Sequence, residues 1–160
     1  MYIKFILSLF VLLTMAIGCT DPAQQKTSDL SGIDRGRYLV QSMGCNDCHT
    51  PGYQKGTSVP AEDWLTGGSV GFRDTNGTTY PTNLRLLLNS MSEDDWTVFA
   101  RKMRQNVPME SVLLPRASEH DLRAIYQFVK YLGPKGEPAR ERLPAGVTPT
   151  TEYIEFPYIH

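Results

Sequence analysis

The chain has 160 residues, 41% hydrophobic and 21% charged, with 16 basic and 17 acidic side chains and a formal net charge of −1. That length suits one domain with a leader or tether attached. The balanced charge excludes a strongly basic nucleic-acid binder, and three cysteines are too few for a disulfide-built miniprotein.

In chain order, Lys4 and the apolar run from Phe5 to Ile17 have the polarity and length of an export signal, too short to span a bilayer comfortably. The small residues Ala16 and Gly18 precede Cys19, so cleavage is expected between Gly18 and Cys19, with residues 1–18 as the signal peptide. The stretch resembles a bacterial lipoprotein signal, in which the new terminal cysteine carries the lipid, although Ala16 stands where that pattern usually has leucine. An ordinary secretory signal would cut the same bond and leave Cys19 unmodified. Either way the protein is expected to be exported, to the periplasm or the outer surface. Lipidation of Cys19 would hold it on a bacterial membrane.

Residues 19–33 are polar, contain Pro22 and show no apolar period, as expected of a tether. A first helix is expected from Asp34 to Met43, stopping at Gly44, with Gly36, Val40 and Met43 on one side. Gly36 would let another helix approach closely. Residues 50–90 are rich in Gly, Thr, Asn and Pro and are expected to form an irregular loop. So long a loop is unusual in a compact domain, and packing on a bound group would account for it.

Ser92 precedes Glu93, Asp94 and Asp95, the acidic first turn that suits a helix N-terminus, and Trp96, Phe99 and Met103 would form its buried stripe. Ser118 and Asp121 mark another start, with Leu122, Ile125, Val129 and Leu132 facing inward and Gly133-Pro134 as the stop. Residues 136–160 are proline-rich, carry Tyr153, Phe156 and Tyr158, and are expected to lie over the domain as an extended arm.

The chemistry is concentrated in Cys45-Asn46-Asp47-Cys48-His49, a C-x-x-C-H run. Cysteines three apart on a helical turn can each form a thioether to one vinyl group of haem, and the following histidine then offers its imidazole to the iron. Three other uses of these residues compete. A thioredoxin-like redox pair needs a strand before it and a βαβ surround, whereas the preceding segment has a helical pattern. A zinc site needs more ligands, and only Cys19, His120 and His160 remain. A disulfide between cysteines this close would be strained.

On these residues the segment from about 34 to 135 resembles a bacterial monohaem class I cytochrome c. The matching stretches are GRYLVQSMGCNDCHTPG, then LTGG and YPTNLR, then SEDDW and SEHDLRAIYQFVKYLGP. The resemblance implies an all-α fold: three to four helices around one covalent haem c, with long irregular loops. It implies that the first and last helices cross at Gly36. His49 would be the proximal iron ligand, its other nitrogen donating to a backbone carbonyl in the following loop, with Pro60 as a candidate. It further implies an axial methionine in the loop before the last helix, where Met109 stands; the family's usual Met-Pro order is here Pro108-Met109-Glu110.

Met43 belongs with the proximal side, Met103 with core packing, and Met91 lies beside a helix cap. Tyr80, Asn83 and Arg85 are candidates to meet the haem or its propionates, as the YPTNLR stretch does in the family, or else are turn formers. Trp64 and Leu65 would pack on the haem face or in a simple loop core.

The expected role is single-electron transfer, not enzymatic catalysis. The redox partners would be a donor dehydrogenase or quinol-oxidising complex and a terminal acceptor, with the membrane engaged through lipid on Cys19 and no nucleic acid involved. Two alternatives stay open at this level: a cytochrome subunit of a larger dehydrogenase docked through the arm, and a haem enzyme or gas sensor with an open iron site.

Overall fold

Ser31 opens the first helix, its Oγ accepting the Asp34 N–H at 3.2 Å. Helix α1 then runs Gly32–Ser42. The computed structural model describes residues 31–103 and 114–155. Two further serine caps work as the sequence anticipates. Ser92 Oγ accepts from Asp95 N ahead of α4 (Glu93–Lys102), and Ser118 Oγ accepts from Asp121 N ahead of α5 (Glu119–Leu132). Between α1 and α4 lie the short α2 (Cys45–His49) and α3 (Leu84–Asn89).

The core is built on the crossing of α1 and α5. A Cβ on Gly36 would run into the backbone carbonyl of Ala124 and sit 2.6 Å from Phe128 Cβ, so only glycine allows this approach. Arg35 Nε donates to Asp121 Oδ1 at 2.6 Å across the same crossing. Val40, Leu122, Ile125, Phe128 and Val129 are buried around it; of the face expected on α5, Leu122, Ile125 and Val129 are buried, Leu132 is half-buried, and Phe128 joins them. Helix α4 joins through Trp96, whose Nε1 donates to Leu122 O at 2.8 Å.

The expected all-α fold is corrected by the structure, which carries a mixed four-stranded sheet beside its helices. Strands β1 (Gly71–Asp74) and β2 (Gly77–Thr79) form an antiparallel hairpin inside the stretch expected to be irregular. Two strands of the arm flank it: β3 (Leu143–Pro144) pairs antiparallel with β2, and β4 (Tyr153–Glu155) pairs parallel with β1, giving the order β3-β2-β1-β4. The arm therefore adds strands to a sheet instead of merely lying over a surface. A pairing that joins residues some eighty positions apart leaves no local period in the sequence.

Helix α3 also falls within residues 50–90. Asn83 caps it, its Oδ1 accepting from Leu86 N at 3.0 Å, and Leu88 is buried. Phe99 does not join the buried stripe of α4: it is 40% exposed, while Trp96, Thr97 and Ala100 face inward. Among the described residues no helix is long and apolar enough to cross a membrane.

Candidate functional site

Met43 and Gly44 turn the chain out of α1, so α2 presents Cys45, Cys48 and His49 to a cavity between the helices. Val40 and Met43 line one side, Leu65, Leu84 and Leu88 another, and Trp96, Met103, Leu114, Ile125 and Val129 complete the wall. The cavity volume is about 90 Å³, partly open to solvent, and its lining is almost wholly apolar.

Both thiols are free. Burial pushes the Cys45 thiol up to about 11, despite a backbone hydrogen bond that works the other way. Cys48 is raised too, first by burial and then by the negative charge of Asp47. Protonated thiols in an apolar wall are the opposite of the electropositive, thiolate-favouring setting of a redox or metal-binding cysteine. Among the described residues no three His, Cys, Asp or Glu side chains come together as an ion-binding set.

His49 Nδ1 lies 2.7 Å from Thr82 O. A carbonyl only accepts, so Nδ1 carries the proton of the neutral ring. Burial lowers the pKa of this histidine, with the Thr82 bond partly opposing, so the neutral form is the natural one. Its lone pair is then on Nε2, which is buried and has no hydrogen-bond partner among the described residues. A buried, unsatisfied nitrogen facing no protein donor is costly unless something fills the place. Thr82, not Pro60, supplies the carbonyl that orients the ring.

These features fit a haem: two protonated thiols for the vinyl groups, an oriented imidazole with a free lone pair, and apolar walls. The remaining candidates fall elsewhere. Tyr80 Oη lies 3.0 Å from Thr151 Oγ1. Asn83 Nδ2 donates to the carbonyls of Lys135 and Glu137. Arg85 spends its guanidinium on the carbonyls of Glu62, Leu132 and Gly133. None of these three lines the cavity. Leu65 does line it, while Trp64 is buried beside it with Nε1 donating to Val59 O at 2.9 Å.

Of the methionines, Met43 and Met103 line the cavity, and Met91 packs against the core. Met109 and Cys19 lie outside the described residues. Sequence reasoning missed Thr82, whose role belongs to its backbone and leaves no side-chain signal. It also missed Leu84 and Leu88, although Asn83 followed by an apolar run is a helix start.

No protein-family model, no curated protein and no solved structure matches this chain. A functional reading therefore stands on the chain's own residues.

Proposed function

We propose that this protein is an exported monohaem c-type cytochrome that carries single electrons between redox partners, held on a membrane surface by lipid on Cys19. The observation that carries this reading is the cavity shared by Cys45, Cys48 and His49, in which both thiols are free and His49 Nε2 lacks a partner among the described residues. Cys45 and Cys48 would hold the haem as thioethers. Each S–H adds across a vinyl double bond, so no oxidant is needed and no group leaves. His49 would ligate the iron through Nε2, with the Nδ1–H bond to Thr82 O fixing the ring and raising its basicity.

The bound haem supplies a one-electron couple. The chain's residues exclude water from it and orient its ligand. Met109 is the proposed sixth ligand, a thioether that favours the reduced iron and leaves no position for a substrate. The polar tether from Cys19 would keep the domain at high local concentration between a donor dehydrogenase or quinol-oxidising complex and a terminal acceptor.

An absorption spectrum of the exported protein, oxidised and reduced, with and without carbon monoxide, tests this. The expected result is a covalent haem that survives denaturation, a far-red sulfur–iron band, and no change with carbon monoxide. Protein exported with both thiols unmodified would overturn the haem assignment. Ready carbon monoxide binding would replace electron carriage with catalysis or sensing.

A further inference from the structure

The carbonyl that orients His49 sits in a short stretch, Tyr80-Pro81-Thr82-Asn83, between β2 and α3. From the inner side, Gly68 N donates to Pro81 O at 3.1 Å. A Cβ on Gly68 would come within 2.5 Å of Cys48 O and 2.6 Å of Pro81 Cγ, so haem motif and stretch are packed with no slack. From the outer side, contacts of the C-terminal arm bracket the stretch. β3 pairs with Gly77 and Thr78 just before it. Thr151 Oγ1 is 3.0 Å from Tyr80 Oη, and Asn83 Nδ2 donates to Lys135 O and Glu137 O at 2.9 and 3.0 Å.

We infer that residues 135–151, Lys135 and the arm as far as Thr151, form a positioning element for the proximal ligand: by pinning Tyr80 and Asn83 they set how closely Thr82 O meets His49 Nδ1–H. This inference rests on the electron-carrier reading. The physical link is the basicity of the ligand. A short Nδ1–H bond to a carbonyl gives the imidazole more anionic character and favours the oxidised iron. Releasing the stretch lengthens that bond, weakens the donor and favours the reduced iron, so the midpoint potential should rise. An arm that merely covered the domain would change stability alone.

The test uses the full-length, haem-loaded protein with Thr151→Val, Asn83→Ser and the pair together. Valine keeps the shape of threonine without the hydroxyl. Serine keeps the cap on α3 and deletes the donor to Lys135 and Glu137, with no change of charge. The expected result is an upward shift of the midpoint potential, larger in the pair than in either single variant. The His49 Nδ1–H proton resonance should move with it, while haem content and the sulfur–iron band stay as they were. Either single variant suffices if the pair does not fold. Folded, haem-loaded variants with an unmoved potential and an unmoved Nδ1–H signal overturn this inference alone. Absence of covalent haem in the unmodified protein overturns the electron-carrier reading and this inference with it.

Discussion

The guanidinium of Arg85 is buried against the carbonyl end of α5, donating from Nη2 to Leu132 O and from Nε to Gly133 O. Its Nη1 reaches Glu62 O at 2.9 Å, so one side chain on α3 ties the turn before Trp64 to the end of the last helix. A cation also suits the negative pole of a helix C-terminus.

Replacing Arg85 with methionine keeps much of the volume and strips these carbonyls of their donors. Hydrogen bonds to charged groups contribute about 1.5–3 kcal/mol each, so Arg85→Met should cost about 3 kcal/mol or more. The denaturation midpoint in urea measures it. Arg123 makes the useful contrast. It contacts Glu93, Asp94 and Glu119 at the surface, and Arg123→Ala should cost far less, with the loss shrinking further in salt. Equal costs for the two variants would contradict this account.

A second expectation concerns the helix crossing. Gly36→Ala must push α1 away from the carbonyl of Ala124, an overpacking that costs about 1–3 kcal/mol. The nearest obstacle is backbone and the side chain of Ala124 is not among the close contacts, so Ala124→Gly should give no rescue. A double-mutant cycle on unfolding free energies decides the point: a strong rescue would mean that side-chain crowding, not the carbonyl, sets the distance.

The contrast between these helices and the sheet shows what the sequence could reveal. Helices α1, α4 and α5 each carry a serine cap and an apolar spacing, signals written within one or two turns of chain. The Cys45–His49 run, C-x-x-C-H, is equally local. The sheet is different: β3 has two residues and β4 three, too short for an alternating pattern, and their partners lie far away in sequence. Phe99 shows a subtler limit. Its spacing from Trp96 suits a buried stripe, but α4 turns Thr97 and Ala100 inward and leaves the Phe99 ring tilted beside Trp96, 6.2 Å between centroids. Which way a helix rolls depends on its neighbours, and no periodicity within α4 encodes that.

Attachment gives the third prediction. Cys45→Ser and Cys48→Ser should each leave one thioether, with haem still retained by the denatured chain in reduced yield. The double variant should retain none. His49→Ala should lose low-spin character even where haem is attached. Mass spectrometry of the denatured, exported protein measures haem retention in the cysteine variants, and the absorption spectrum of the folded protein reads the spin state of His49→Ala. Full retention in the double variant would rule out thioether attachment through this pair.

The last prediction separates two methionines. Met103 follows α4 and lines the cavity beside Trp96, so its nearness invites assignment as the sixth ligand. Met103 also packs against the core, and its side chain has that duty to perform. Met103→Ala should therefore lower stability, by about 2 kcal/mol for a truncated core side chain, while the far-red sulfur–iron band persists. Met109→Ala should do the reverse: the band disappears, carbon monoxide binds the reduced protein, and the fold is largely retained. The pair is read in one experiment, spectra plus urea unfolding of both variants. If the band survives in Met109→Ala and vanishes in Met103→Ala, the ligand is Met103 and the end of α4 is part of the iron site.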